Sequence, residues 1–167
     1  MSRFDKYWRK IPNKYGIILM AALIGYFLIM RLLGVGHEYW LRVFNAVILF
    51  FCIRGAIKAY KVRTSARFYE EFFDFFKIGM RTGFIGIAGF TAFVAIYLDV
   101  IDPVFMTEVR ELETLSPYLT PVTAAGIIFI EGFGSSFICS YLAIQIMKRS
   151  TVEKPVKQDS NSKASVS

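Results

Sequence analysis

The sequence predicts an all-α integral membrane protein: a four-helix bundle with an amphipathic cytoplasmic interfacial helix before the third span. Three observations carry this. The chain has 167 residues, 55% of them hydrophobic, with a mean hydropathy of +0.47. A soluble domain of that size cannot hide so much apolar surface in its own core. The apolar residues gather into four stretches, at 15–33, 41–59, 78–101 and 119–147. Each meets or nearly meets the roughly 20 residues a helix needs to cross about 30 Å of hydrocarbon. The third observation is that Lys and Arg sort by side, falling mainly before the first stretch, between the second and third, and after the fourth.

In lipid the backbone must satisfy its own hydrogen bonds, which leaves helices or closed barrels. These stretches are continuous rather than alternating, so helices are favoured over strands. They use most of the chain and leave no room for a second domain. The organisation expected is a basic cytoplasmic lead at 1–14, a membrane domain at 15–149 and a disordered cytoplasmic tail at 150–167, a polar stretch rich in Ser and Lys.

The net charge is +7. Arg3, Lys6, Arg9, Lys10 and Lys14 precede the first span. Arg54, Lys58, Lys61, Arg63, Arg67, Lys77 and Arg81 lie around the second link, and Lys148, Arg149, Lys154, Lys157 and Lys163 follow the fourth span. Arg31, Arg42 and Arg110 belong to the other side. Positive charge stays cytoplasmic, so both termini are expected inside. Topology thus accounts for the charge, and the bilayer rather than nucleic acid is the expected partner. The first span, with its basic lead and Gly34 and Gly36 after it, also has the anatomy of a signal peptide. Arg31 near its end and the long lead argue for retention.

In the lead, Phe4, Tyr7 and Trp8 alternate with cations, a composition suited to anionic headgroups. Pro12 and Asn13 punctuate it before span one. The short link Gly34–Glu38 makes spans one and two antiparallel neighbours, and Tyr39 and Trp40 mark the outer interface. Asn45 is a polar residue placed to hydrogen-bond to a neighbouring helix. From Lys61 to Lys77, Phe68, Phe72, Phe75 and Phe76 recur at helical spacing, with Arg67 and Glu71 spaced as an i,i+4 pair. This predicts an amphipathic helix on the membrane surface, with partner binding as the rival use. Span three carries Gly79, Gly83 and Gly86 on one face, a helix-packing surface that serves either the bundle itself or a dimer. The outer link is acidic. Asp102-Pro103 breaks span three, and Glu108 and Glu111 offer oxygens to a cation without EF-hand spacing. Span four is long for one crossing, so it must tilt, project or break, with Gly132-Phe133-Gly134 the weak point.

Glu131 is the candidate polar site within the membrane. A carboxylate near the middle of a span costs several kcal/mol unless protonated or paired, and such residues are functional candidates. It stands roughly 12 Å above the inner boundary of a 30 Å core, with Arg54 about 7 Å and Arg81 about 5 Å above it. Either arginine is long enough to form a buried bridge, and Ser135 lies one turn from Glu131. The competing reading is a titrating, proton-coupled carboxyl.

Catalytic and cofactor chemistry has little to stand on. His37 is the single histidine, so a histidine cluster or bis-histidine haem cannot form within one chain. Cys52 and Cys139 both fall within spans with no C-x-x-C pattern, and no nucleotide-binding or hydrolase motif appears. Neither a cofactor nor enzymatic activity is expected.

The stretch Arg67-Phe68-Tyr69-Glu70-Glu71-Phe72-Phe73, Gly79 entering span three, and Ile101-Asp102-Pro103 leaving it resemble a bacterial family of four-span membrane proteins. That family is catalogued as a domain of unknown function, number four-one-nine-nine. The resemblance covers most of the chain loosely. It implies a bacterial cytoplasmic (inner) membrane location and no particular activity. Family members often have glycines where Arg67 and Phe68 stand, and Glu131 is not part of the family pattern. Two functions remain open: a non-catalytic packing or accessory subunit, forming a homo-oligomer or joining a larger membrane complex, and a small proton-linked transporter built on Glu131.

Overall fold

The computed structural model describes residues 3–34, 42–64, 72–101 and 120–152. They form four long helices: α1 (Arg3–Leu32), α2 (Arg42–Thr64), α3 (Phe72–Ile96) and α4 (Pro121–Val152). A π-helical turn, Tyr97–Ile101, continues α3. Side-chain contacts give the directions. Tyr15 meets Gly55, and Tyr26 stands beside Phe44, so α1 and α2 are antiparallel. Gly16 meets Ile85, and Phe27 meets Tyr97, so α1 and α3 are parallel. Gly79 meets Ser140 while Gly132 meets Ile87, so α3 and α4 are antiparallel. The result is an up-down-up-down bundle in which α3 packs against all three other helices.

The segments long and apolar enough to cross a bilayer are Trp8–Leu32, Val43–Arg63, Phe72–Ile101 and Pro121–Lys148, of 25, 21, 30 and 28 residues. Their inner faces meet in a core of Leu19, Ile53, Ala56, Ile57, Phe75, Ile78, Ala143 and Ile144. Their outer faces expose Ile17, Ile29, Phe51, Ile96, Ile130 and Ile138. Apolar inside and out is the mark of helices whose solvent is lipid. The chain is a multi-pass membrane protein.

Helix ends follow local chemistry. Thr120 caps α4: the Thr123 amide donates to Thr120 Oγ1 (3.2 Å), and the Thr120 amide donates to Thr123 Oγ1 (2.7 Å). Pro121 takes the first helical position, where its missing N–H costs nothing. At the end of α1, Gly34 adopts φ 70°, and its amide donates to Arg31 O (3.1 Å). That left-handed turn is open to glycine at little steric cost.

The structure differs from the sequence expectation at three places. Pro12 does not separate a lead from a span, because α1 runs through it. Pro12 and Ile11 are buried, and Trp8 packs against the core, so tertiary burial outweighs the one backbone hydrogen bond that proline removes. Nor does α4 break at Gly132-Phe133-Gly134. Gly132 instead admits Ile87 of α3, whose Cγ2 would lie 2.9 Å from an added Cβ. An unbroken α4 takes up its extra length by tilt or projection. Finally, the expected amphipathic helix runs into span three, Phe72–Lys77 being the opening turns of α3, but its aromatic face turns into the bundle and not to the headgroups. Phe75 is fully buried edge-on to Tyr60 (5.8 Å), and Phe76 is edge-on to Phe137 of α4 (5.0 Å). The aromatic spacing that suits headgroups suits a bundle core equally well. The rest of that segment, with Arg67 and Glu71, lies outside the described residues. So do His37, Tyr39, Trp40, Asp102, Glu108, Glu111 and the tail from 153 onward.

Candidate functional site

Two features gather the polar chemistry of the spans: a seam of small residues between α3 and α4, and the outward face of α4.

In the seam, Gly79 and Gly83 of α3 face Ser140 and Ser136 of α4. A methyl group at Gly79 would lie 2.9 Å from Ser140 Cβ, and one at Gly83 would lie 2.7 Å from Ser136 Cβ. The helices can approach this closely because neither glycine carries a side chain. The hydroxyls remain satisfied within their own helices. Ser136 Oγ donates to Gly132 O (3.0 Å), Ser140 Oγ to Ser136 O (2.7 Å), and Thr82 Oγ1 to Ile78 O (2.8 Å). These intrahelical bonds let three polar side chains sit in the apolar core. Gly86 faces away from α4 and admits Leu19 of α1, whose Cγ would be 2.6 Å from an added Cβ. All three glycines are buried. Of the two uses expected for this face, packing within the bundle is the one seen: Leu19 of α1, Ile53 of α2 and Ser136 and Ser140 of α4 lie against it.

Glu131 points the other way. It is exposed on α4, as is Arg54 on α2, while Arg81 on α3 and Ser135 on α4 are half-buried. Glu131 and Arg54 thus both stand on outward faces of their helices. Ile127, Gly134 and Ile138 share the Glu131 face at helical spacing, and all are exposed. Gly134 and Gly126 have nothing within 4 Å of an added Cβ. Glu131 stands about 15 Å along α4 from Pro121, near mid-span.

The sequence did not reveal several further contacts. Gly16 accepts α3 so closely that an added Cβ would lie 2.8 Å from Ile85 Cβ and 3.2 Å from Thr82 O. Lys77 Nζ stands 5.8 Å from the centre of the Trp8 ring, tying the starts of α1 and α3 together. Asn45 does not fulfil its expected interhelical role through its carbonyl: Oδ1 is buried without a hydrogen-bond partner among the described residues, as is Thr91 Oγ1. Phe27 sits edge-on to Phe90, Phe93 and Tyr97, an aromatic lock between the other ends of α1 and α3. Among the described residues no three His, Cys, Asp or Glu side chains converge as metal ligands.

Compared with models of known families, with curated proteins and with solved structures, the chain matches none of them.

Proposed function

We propose that this chain is a non-catalytic packing or accessory subunit of the bacterial cytoplasmic membrane. Its basic end faces the cytoplasm, and it assembles with itself or with a larger complex through the outward face of α4. The observation that carries the reading is the placement of Glu131: exposed, near mid-span, between Ile127, Gly134 and Ile138. An ionisable residue on an outward face near mid-span marks that face as more than a surface for lipid. A neighbouring transmembrane helix packed there removes the face from hydrocarbon. Gly126 and Gly134, open on the same helix, let such a helix come close.

The test uses the full chain in mild detergent. Gly134→Leu and Glu131→Leu should abolish association in native gels and crosslinking while helical content and the thermal midpoint stay unchanged. Association that survives both substitutions would refute the contact.

The alternative, a small proton-linked transporter, uses the same carboxyl. It requires Glu131→Gln to abolish pH-driven flux in proteoliposomes while assembly persists. The outward placement of Glu131, away from the packed core, favours assembly.

A further inference from the structure

We propose that the basic end of the α1–α3 seam is a binding site for the headgroup of an anionic phospholipid, its phosphate held by Arg81, Lys77 and Arg9. The inference is independent of the α4 contact.

The bundle's topology brings the start of α1, the end of α2, the start of α3 and the end of α4 to one end. Arg9, Lys10, Lys14, Lys58, Lys61, Arg63, Lys77, Arg81 and Lys148 all stand there, with Asp5 in the first turns of α1 and Asp74 in those of α3. Such an end attracts anionic headgroups in general. The α1–α3 seam adds a specific geometry. The contacts Trp8–Lys77, Gly16–Ile85 and Met20–Gly89 fix the register of two parallel helices. Arg9 and Asn13 lie on the stripe of α1 that continues to Gly16 and Met20. Lys77 and Arg81 lie on the stripe of α3 that continues to Ile85 and Gly89. The register therefore sets Arg9 within about one residue's rise of Lys77, and Asn13 within about one of Arg81, along one seam open to lipid.

Arg81 is the key residue. It stands about 13 Å along the α3 span from Phe72, which places its Cα some 6 Å inside a 30 Å hydrocarbon layer centred on that span. It is half-buried, and no ion pair among the described residues involves it. A guanidinium at that depth needs an anion, and its stem reaches up toward the interface. Its fork of N–H donors matches a phosphate bidentately, as a lysine ammonium does not. Lys77 is half-engaged already, 3.6 Å from Asp74 and near the Trp8 ring, which holds it at the mouth of the seam. Close packing of Gly16 on Ile85 and the Thr82 carbonyl closes the seam just beneath. A lipid phosphate at the headgroup level meets the cations there, and its acyl chains run down the exposed apolar faces of α1 and α3.

Native mass spectrometry of the full chain in mild detergent tests this, with phosphatidylglycerol or phosphatidylcholine added. One phosphatidylglycerol should be retained in preference to phosphatidylcholine. Arg81→Gln should weaken that retention about tenfold, the scale of one lost charge-assisted hydrogen-bond pair. Arg81→Lys should restore part of it. Lys148→Gln, at the same end on α4, should leave it unchanged. Millimolar inorganic phosphate should not displace the lipid. Equal retention of the two lipids would overturn the proposal, as would an equal loss in Arg81→Gln and Lys148→Gln, which assigns the effect to general charge. Displacement by inorganic phosphate would assign the site to the free anion instead. Circular dichroism of each variant separates loss of the site from loss of the fold.

Discussion

Gly83 of α3 and Ser136 of α4 face each other so closely that a methyl group on the glycine would lie 2.7 Å from the serine Cβ. The Ser136 hydroxyl is turned back to Gly132 O in its own helix. The pair therefore joins two helices by shape rather than by a hydrogen bond between them. Lipid tails are as apolar as the core, so close packing, more than expulsion of apolar surface from water, must hold the bundle together.

Gly83→Ala should accordingly destabilise the bundle by about 1–3 kcal/mol, the usual cost of overpacking a rigid site. Gly134→Ala, with open space around it, should be neutral or stabilising by up to about 1 kcal/mol from helix propensity. Thermal or denaturant titration in detergent compares the two. Adding Ser136→Gly to Gly83→Ala should recover part of the loss, and a strictly additive double variant would show that the two residues are not in contact.

Phe75→Ala should cost about 3–5 kcal/mol, because the ring is fully buried and edge-on to Tyr60. This substitution also distinguishes two placements of the segment that opens α3. Were Phe75 an interfacial anchor, its removal would weaken lipid affinity and leave the unfolding midpoint in place.

Ser140→Ala should be mild, about 1 kcal/mol or less, since the hydroxyl bonds to Ser136 O one turn back in its own helix. Ser140→Val should be worse, because the added bulk meets Gly79. The same unfolding titration reads both, and the order valine worse than alanine is the quantity to check.

A cysteine placed at Val62, an exposed position near the end of α2, should react with an impermeant maleimide only after the membrane is opened. Cys52 is half-buried and Cys139 buried, so both should react slowly in the folded chain. Labelling of position 62 in intact cells would reverse the proposed orientation.

The four helices and the gathering of cations at one end could be read from the sequence, because both depend on one-dimensional quantities: run length against bilayer thickness, and charge order along the chain. The glycine face of α3 was visible as well, since Gly79, Gly83 and Gly86 share a side by helical spacing alone. The partners of those glycines were not. In a soluble helix the apolar stripe announces which side is inward, but here every side of every span is apolar. Hydropathy could not tell that Phe75 turns into the core, that Gly86 receives Leu19 while Gly83 receives Ser136, or that Glu131 turns outward. Those choices rest on steric fit between four surfaces at once, and they arise only when the helices are brought together.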